Sequence, residues 1–155
     1  MQKITFASAF AIIGVLIIVG ILVPAFGTNT SFTLQPLEER TVTLSLRLDD
    51  GVSGSFSTVS DDGTGVNFHV TDPYNNTILH YEDVLQRSFS FTAEAEGDFQ
   101  LHFDNSLSAA YRKTVSLNYD VTHYILGLPQ EQFLMIVIVA VAVVGLVLYA
   151  ALMPK

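Results

Sequence analysis

The chain contains no cysteine, which excludes a disulfide framework and a thiolate metal site and leaves stability to packing. Basic residues are scarce: seven Lys and Arg stand against fifteen Asp and Glu, for a formal net charge of −8. Between residues 27 and 132 the only Lys or Arg side chains are Arg40, Arg47, Arg87, Arg112 and Lys113. So acidic a segment repels phosphate, which excludes nucleic acid as a partner, and it is expected to stand in water rather than lie on anionic lipid. Catalytic signatures are missing too. There is no Gly-x-Ser-x-Gly elbow, no phosphate-cradling glycine loop, no His-Glu-x-x-His and no nucleophilic cysteine, so no catalytic residue, no cofactor and no enzyme activity is expected.

What is abundant is apolar residues, 50% of the chain and unevenly placed. Residues 4–26 and 133–153 contain no charged side chain. At about 1.5 Å per helical residue each reaches roughly 31–35 Å, enough for a hydrocarbon core of about 30 Å. Two transmembrane helices are therefore predicted. The first also has features of a signal sequence, with Lys3 before it and Ala25-Phe26-Gly27 at its end. Its apolar run exceeds the roughly 7–15 residues of a secretory h-region, which favours an uncleaved anchor. Lys3 and Lys155 flank the spans on the same side, so residues 1–3 and 154–155 are expected in the cytoplasm and the middle of the chain outside it, extracellular or lumenal. Within the spans, Ala7, Ala11, Gly14 and Gly145 are small-residue notches where another helix could pack, and no ionisable residue marks a transport route.

Residues 27–123 alternate with period two, as strands do when successive side chains point to opposite faces. Val42, Leu44, Leu46 and Leu48 form one apolar phase; Val66, Phe68 and Val70 another; Phe89, Phe91 and Ala93, then Phe99, Leu101 and Phe103, then Val115, Leu117, Tyr119 and Val121 continue it. Shorter candidates lie at 31–34, 52–59 and 77–82. Asp49-Asp50-Gly51, Asp61-Asp62-Gly63-Thr64-Gly65, Asp72-Pro73-Tyr74-Asn75-Asn76 and Glu96-Gly97-Asp98 supply the turns between them. About eight half-polar strands with no helical segment between them predict an all-β antiparallel sandwich of jelly-roll or immunoglobulin type. A short linker, 124–132, joins it to the second span.

These strands carry a resemblance. Val66-Asn67-Phe68-His69-Val70-Thr71-Asp72-Pro73, Asn76-Thr77-Ile78 and Phe89-Ser90-Phe91-Thr92-Ala93 resemble the GOLD (Golgi-dynamics) domain. So do Val52-Ser53-Gly54-Ser55-Phe56, the run from Gly97 through Phe103-Asp104-Asn105-Ser106 to Ser108, and the strand from Lys113 to Val121. The resemblance covers residues 31–122 and implies the lumenal β-sandwich of a vesicular cargo receptor, a domain that makes protein–protein contacts and catalyses nothing. Where those receptors have a Cys before Phe-Asp-Asn, this chain has His102; where they have a coiled coil before the membrane, it has residues 123–132. Their tails carry coat-binding Phe or Lys signals, whereas Pro154 and Lys155 stand after this last span, so the resemblance is expected to extend to the module and its binding role rather than to coat-dependent sorting.

The expected function is thus a membrane-anchored interaction module, a receptor, adaptor or scaffold. Alternatives are an accessory non-catalytic subunit of a larger membrane complex and a binder of extracellular glycan or cell-envelope polymer. Expected partners are other membrane proteins, in a homo- or hetero-oligomer, and the bilayer through two helices. Candidate partner-contact residues are the loop positions Asp61, Asp62, Tyr74, Asn75, Asp104 and Asn105, with Asp104-Asn105-Ser106 also suited to an Asx-type turn. Asn29 and Asn75 begin glycosylation sequons. No metal site is expected: His69 and His102 fall on the non-core phase, His80 and His123 near strand ends, and no pair has the local spacing of a metal motif. The acidic pairs Asp49/Asp50 and Asp61/Asp62 do not form an EF-hand loop and read as solvated turns.

Overall fold

The computed structural model describes residues 27–152. The first predicted span, with Ala7, Ala11 and Gly14, lies outside the described residues. The chain divides into two units, one spanning Phe26–Tyr124 and the other holding Ile125–Lys155.

In the first unit eight strands follow the apolar alternation: β1 (Thr28–Leu34), β2 (Glu39–Leu46), β3 (Gly51–Ser60), β4 (Val66–Thr71), β5 (Thr77–Val84), β6 (Gln86–Thr92), β7 (Gly97–Asp104) and β8 (Lys113–Thr122). They build two four-stranded antiparallel sheets, ordered β1-β8-β3-β6 and β2-β7-β4-β5. Apart from the β4–β5 hairpin, each consecutive pair of strands crosses between the sheets. Two interlocked Greek keys of this kind are a jelly roll, which decides between the two sandwich types the alternation allowed.

The buried phase of both sheets meets in one core. Phe32, Phe56 and Phe89 come from the first sheet and Phe68 and Phe103 from the second. Phe68 lies 4.9 Å from Phe56, 5.0 Å from Phe89 and 4.9 Å from Phe103, centroid to centroid, and the Phe56–Phe103 pair is edge-on at 88°. Tilted and edge-on rings interlock the inner faces and favour the ring quadrupoles.

Two differences from the alternation stand out. Leu48, in phase with Leu44 and Leu46, is 57% exposed because β2 ends at Leu46. The buried Asp50 carboxylate accepts the Arg47 N–H at 2.8 Å and turns the chain there, so Leu48 falls in the turn. Lys113 heads β8 on the inward phase with Val115 and Leu117 and is fully buried. Its Nζ donates to Thr64 Oγ1 at 2.8 Å and to the Gly65 carbonyl, tying the β3–β4 loop to β8.

After β8 come the short strands β9 (Tyr124–Ile125), whose first residue ends the first unit, and β10 (Leu128–Pro129), and then, in the second unit, the helix α1 (Gln130–Leu152). It begins at Gln130, three residues before the apolar run. Pro129 precedes it, and Glu131 in its first turn suits the positive end of the helix dipole. Residues Gln130–Ala151 are long and apolar enough to cross a membrane, at 22 residues. Among the described residues this is the one such helix, against the two that the apolar runs predict.

Candidate functional site

The non-core phase of the second sheet gathers its histidines in a row. The register pairs Thr41 of β2 with His102 of β7, His102 with His69 of β4, and His69 with His80 of β5. Alternation turns all four outward, because Val42, Leu101, Phe103, Phe68 and Val70 on either side point inward. Strands β4 and β7 are neighbours only through the crossovers, so residues 33 apart in sequence become cross-strand partners.

The row is tightly bonded. The His69 and His102 rings are stacked, with centroids 4.2 Å apart and planes 4° from parallel, and His80 meets His69 edge-on at 6.3 Å. His102 Nδ1 lies 2.6 Å from Glu39 Oε1 and 3.3 Å from Thr41 Oγ1, while its Nε2 lies 3.2 Å from Thr71 Oγ1. Partial burial and the neighbouring His102 ring lower the pKa of His69 below its ordinary 6.5, against the opposing pull of Glu39 and Asp104. Glu39, His69 and His102 each present one donor atom, and the three atoms lie within 4.8 Å of one another. Spacing along the sequence did not reveal this group. The signal that could have found it is the shared outward phase of three histidines.

The loop residues divide between the two ends of the sandwich. The chain enters near the Thr28–Tyr119 pair and leaves at Thr122, which pairs with Gly51. At that end stand the exposed Tyr74 and Asn75, on a turn where Asp72 Oδ1 accepts the Tyr74 and Asn76 N–H groups at 2.9 and 2.8 Å. These bonds, the Asn76 side chain first, hold the Asp72 carboxyl below its usual range. Buried Asp50 also lies here, 2.8 Å from His123 Nδ1. Asp61, Asp62, Asp104 and Asn105 lie at the opposite end, with Ser60, Lys113 and Leu34.

At that far end only part of the acidic set is free. Asp61 is exposed. Asp62 accepts from Thr64 N and Oγ1 at 3.1 and 2.9 Å, and hydrogen bonds, from Ser108 first, hold its carboxyl down at about 2. Asp104 caps the following turn, accepting from Ser106 N at 2.8 Å and from its hydroxyl at 2.5 Å. Asn105 is fully buried and donates through Nδ2 to the Gln35 and Tyr111 carbonyls at 2.9 and 3.0 Å, which takes its side chain off the surface and makes it a clamp between two loops. Asn29 stands in β1, its Oδ1 accepting from Asn118 Nδ2 at 2.7 Å. In α1, nothing lies within 4 Å of where a Gly145 Cβ would sit.

The outer face of the first sheet is different in kind. Cross-strand rows there read Asn29, Asn118, Ser55, Ser88 and Ser31, Ser116, Ser57, Gln86, all small or uncharged. Tyr74, Tyr111 and Tyr124, the most exposed aromatic side chains among the described residues, stand outside the two four-stranded sheets.

Comparison with known proteins agrees with the domain. A model of the emp24/gp25L/p24 family/GOLD matches residues 29–137, from β1 into the first turns of α1. No curated protein matches the chain. Among solved structures, the Aeromonas hydrophila periplasmic inhibitor of g-type lysozyme is 14% identical, with 63% of this chain and 87% of that one covered and a TM-score of 0.47. The Salmonella Typhimurium inhibitor is 16% identical, with 61% and 86% covered and a TM-score of 0.44. Similarity at that level carries no functional argument.

Proposed function

The chain belongs to the emp24/gp25L/p24 family of GOLD-domain proteins, and from that premise we propose that it is a membrane-anchored interaction module, a receptor or adaptor whose jelly roll stands outside the cytoplasm. The observation that carries this reading is the family match itself, whose range takes in all eight sandwich strands and reaches into an apolar helix long enough to span a bilayer. The chemistry of the surface is consistent with it. An outward-facing row of histidines on one sheet and a face rich in Ser and Asn on the other offer hydrogen-bonding surface to a protein partner. A sugar ring would need an aromatic platform, and the exposed tyrosines lie off both sheet faces.

Seven residues lie between the end of β8 and the start of α1, which at about 3.5 Å each limits the tether to roughly 25 Å. A tether this short favours partners that are themselves near the membrane. The test is crosslinking in intact membranes, gentle detergent extraction and mass spectrometry of what travels with the chain. A receptor or adaptor yields several partners, some soluble, in sub-stoichiometric amounts. One fixed set of integral-membrane partners at constant stoichiometry would replace this reading with that of an accessory subunit.

A further inference from the structure

We infer that the outer face of the second sheet is a divalent transition-metal site, with Glu39, His69 and His102 as ligands and His80 beside them as a fourth. The argument begins with the distances. The three donor atoms already lie within 4.8 Å of one another. In a tetrahedral zinc site with bonds of about 2.0–2.1 Å the donors are about 3.3 Å apart, so side-chain rotation alone closes the set. The backbone positions need not move, because β2, β7 and β4 are adjacent strands of one hydrogen-bonded sheet.

The hydrogen bonds say how an ion would enter. His102 Nδ1 and Glu39 Oε1 are in hydrogen-bond contact at 2.6 Å, and a cation displaces the bridging proton and takes its place between them. Thr71 Oγ1, 3.2 Å from Nε2, is then the outer partner that fixes the His102 tautomer and leaves Nδ1 to the metal. His69 must turn. Lone pairs of an imidazole lie in the ring plane, and two rings stacked 4° from parallel cannot both aim at one ion. Its ring is only partly buried, so turning about χ2 gives up the stack on His102 rather than a place in the core. His80, exposed and next along the row, swings in from the edge strand.

Ligand type selects the metal. Two or three imidazoles and one carboxylate suit zinc, copper or nickel, whereas calcium and magnesium require mostly oxygen. The charges facing the row besides Glu39 are Asp104 and Glu82, both attractive to a cation. Neither the distances nor the ligand chemistry depends on whether the module binds proteins.

The experiment is calorimetric titration of Zn2+ into the full chain in detergent, purified without a histidine tag, with thermal melts of each variant in the absence of metal to establish that it is folded. The expected result is one Zn2+ per chain. His69→Gln and His102→Gln should each weaken binding by at least about 100-fold, since even outer-shell changes cost about 10–100-fold. His80→Gln should cost less, and His123→Gln, at the end of the sandwich near Asp50, should cost nothing. The melting temperature should rise with Zn2+ in the parent chain and stay fixed in His102→Gln. Absence of stoichiometric binding, or binding that survives both His69→Gln and His102→Gln, overturns the site.

Discussion

At the scale of single residues, two polar side chains, one fully buried and one partly buried, owe their energetics to what the neighbours supply. Lys113 is fully buried with two oxygen partners, Thr64 Oγ1 and the Gly65 carbonyl. Lys113→Met keeps the volume but takes the ammonium partner from the Gly65 carbonyl, while the Thr64 hydroxyl keeps its bond to Asp62, and it should lower stability by about 1–3 kcal/mol, read as a lower urea midpoint with an unchanged slope. His69 sets a pH dependence. Its folded-state pKa lies below the ordinary 6.5 of the unfolded chain, so the unfolded chain binds more protons in the interval between the two. Stability from this group is complete above about 6.5 and falls as pH drops toward the folded value. Asp62 and Asp72, lowered from 3.8, lose theirs only in the more acidic range below it. The melting temperature in metal-free buffer should therefore decline first just below pH 6.5, and His69→Gln should remove that first step while leaving the acid one. A profile unchanged by the variant would contradict the assignment. The alternation made the outward phase of His69 and His102 legible, but cross-strand partnership was not, because it depends on which strands become neighbours. Lys113 poses the opposite problem: its type suits the surface, while its phase puts it in the core.

At the scale of elements, the strands were legible because burial enforces the alternation. Val115 and Leu117 of β8 and Phe99, Leu101 and Phe103 of β7 are all buried, as their phase requires. Strand ends were less so. They are set by side-chain to backbone bonds such as Asp50 to Arg47, which a list of residues does not show. The β3–β4 loop is the tightest such case. A Cβ on Gly65 would sit 2.3–2.6 Å from the backbone of Val84, while Gly65 N donates to Asp83 Oδ1 at 2.6 Å. Gly65→Ala must push β4 and β5 apart there, and a loss of roughly 3 kcal/mol or more is expected in chemical denaturation, larger than for an exposed loop glycine. The same logic reassigns Asn105 from contact residue to clamp. Asn105→Ala should cost about 1–3 kcal/mol by freeing the Gln35 and Tyr111 carbonyls, and it should leave partner recovery unchanged at temperatures where the variant is folded.

At the scale of the whole molecule, the sequence supports a sandwich and a membrane helix, and the crossover pattern that makes the sandwich a jelly roll is visible only once strands are paired. Topology across the membrane has a direct readout in the sequons. Asn75 is exposed on a turn at positive φ, 64°, at the tip of the β4–β5 hairpin. Asn29 sits in a laddered strand with its side chain bonded to Asn118. Expressed in a host with a glycosylating secretory pathway, the full chain should gain mass at Asn75 rather than Asn29, and Thr77→Ala should abolish the gain while a substitution of Ser31 should not. That result requires the sandwich to be lumenal, since the acceptor must face the compartment where glycan is transferred. An unmodified chain in such a host, with Asn75 exposed as it is, would withdraw this support for a lumenal sandwich, and modification of a cytoplasm-facing probe at the same turn would overturn it.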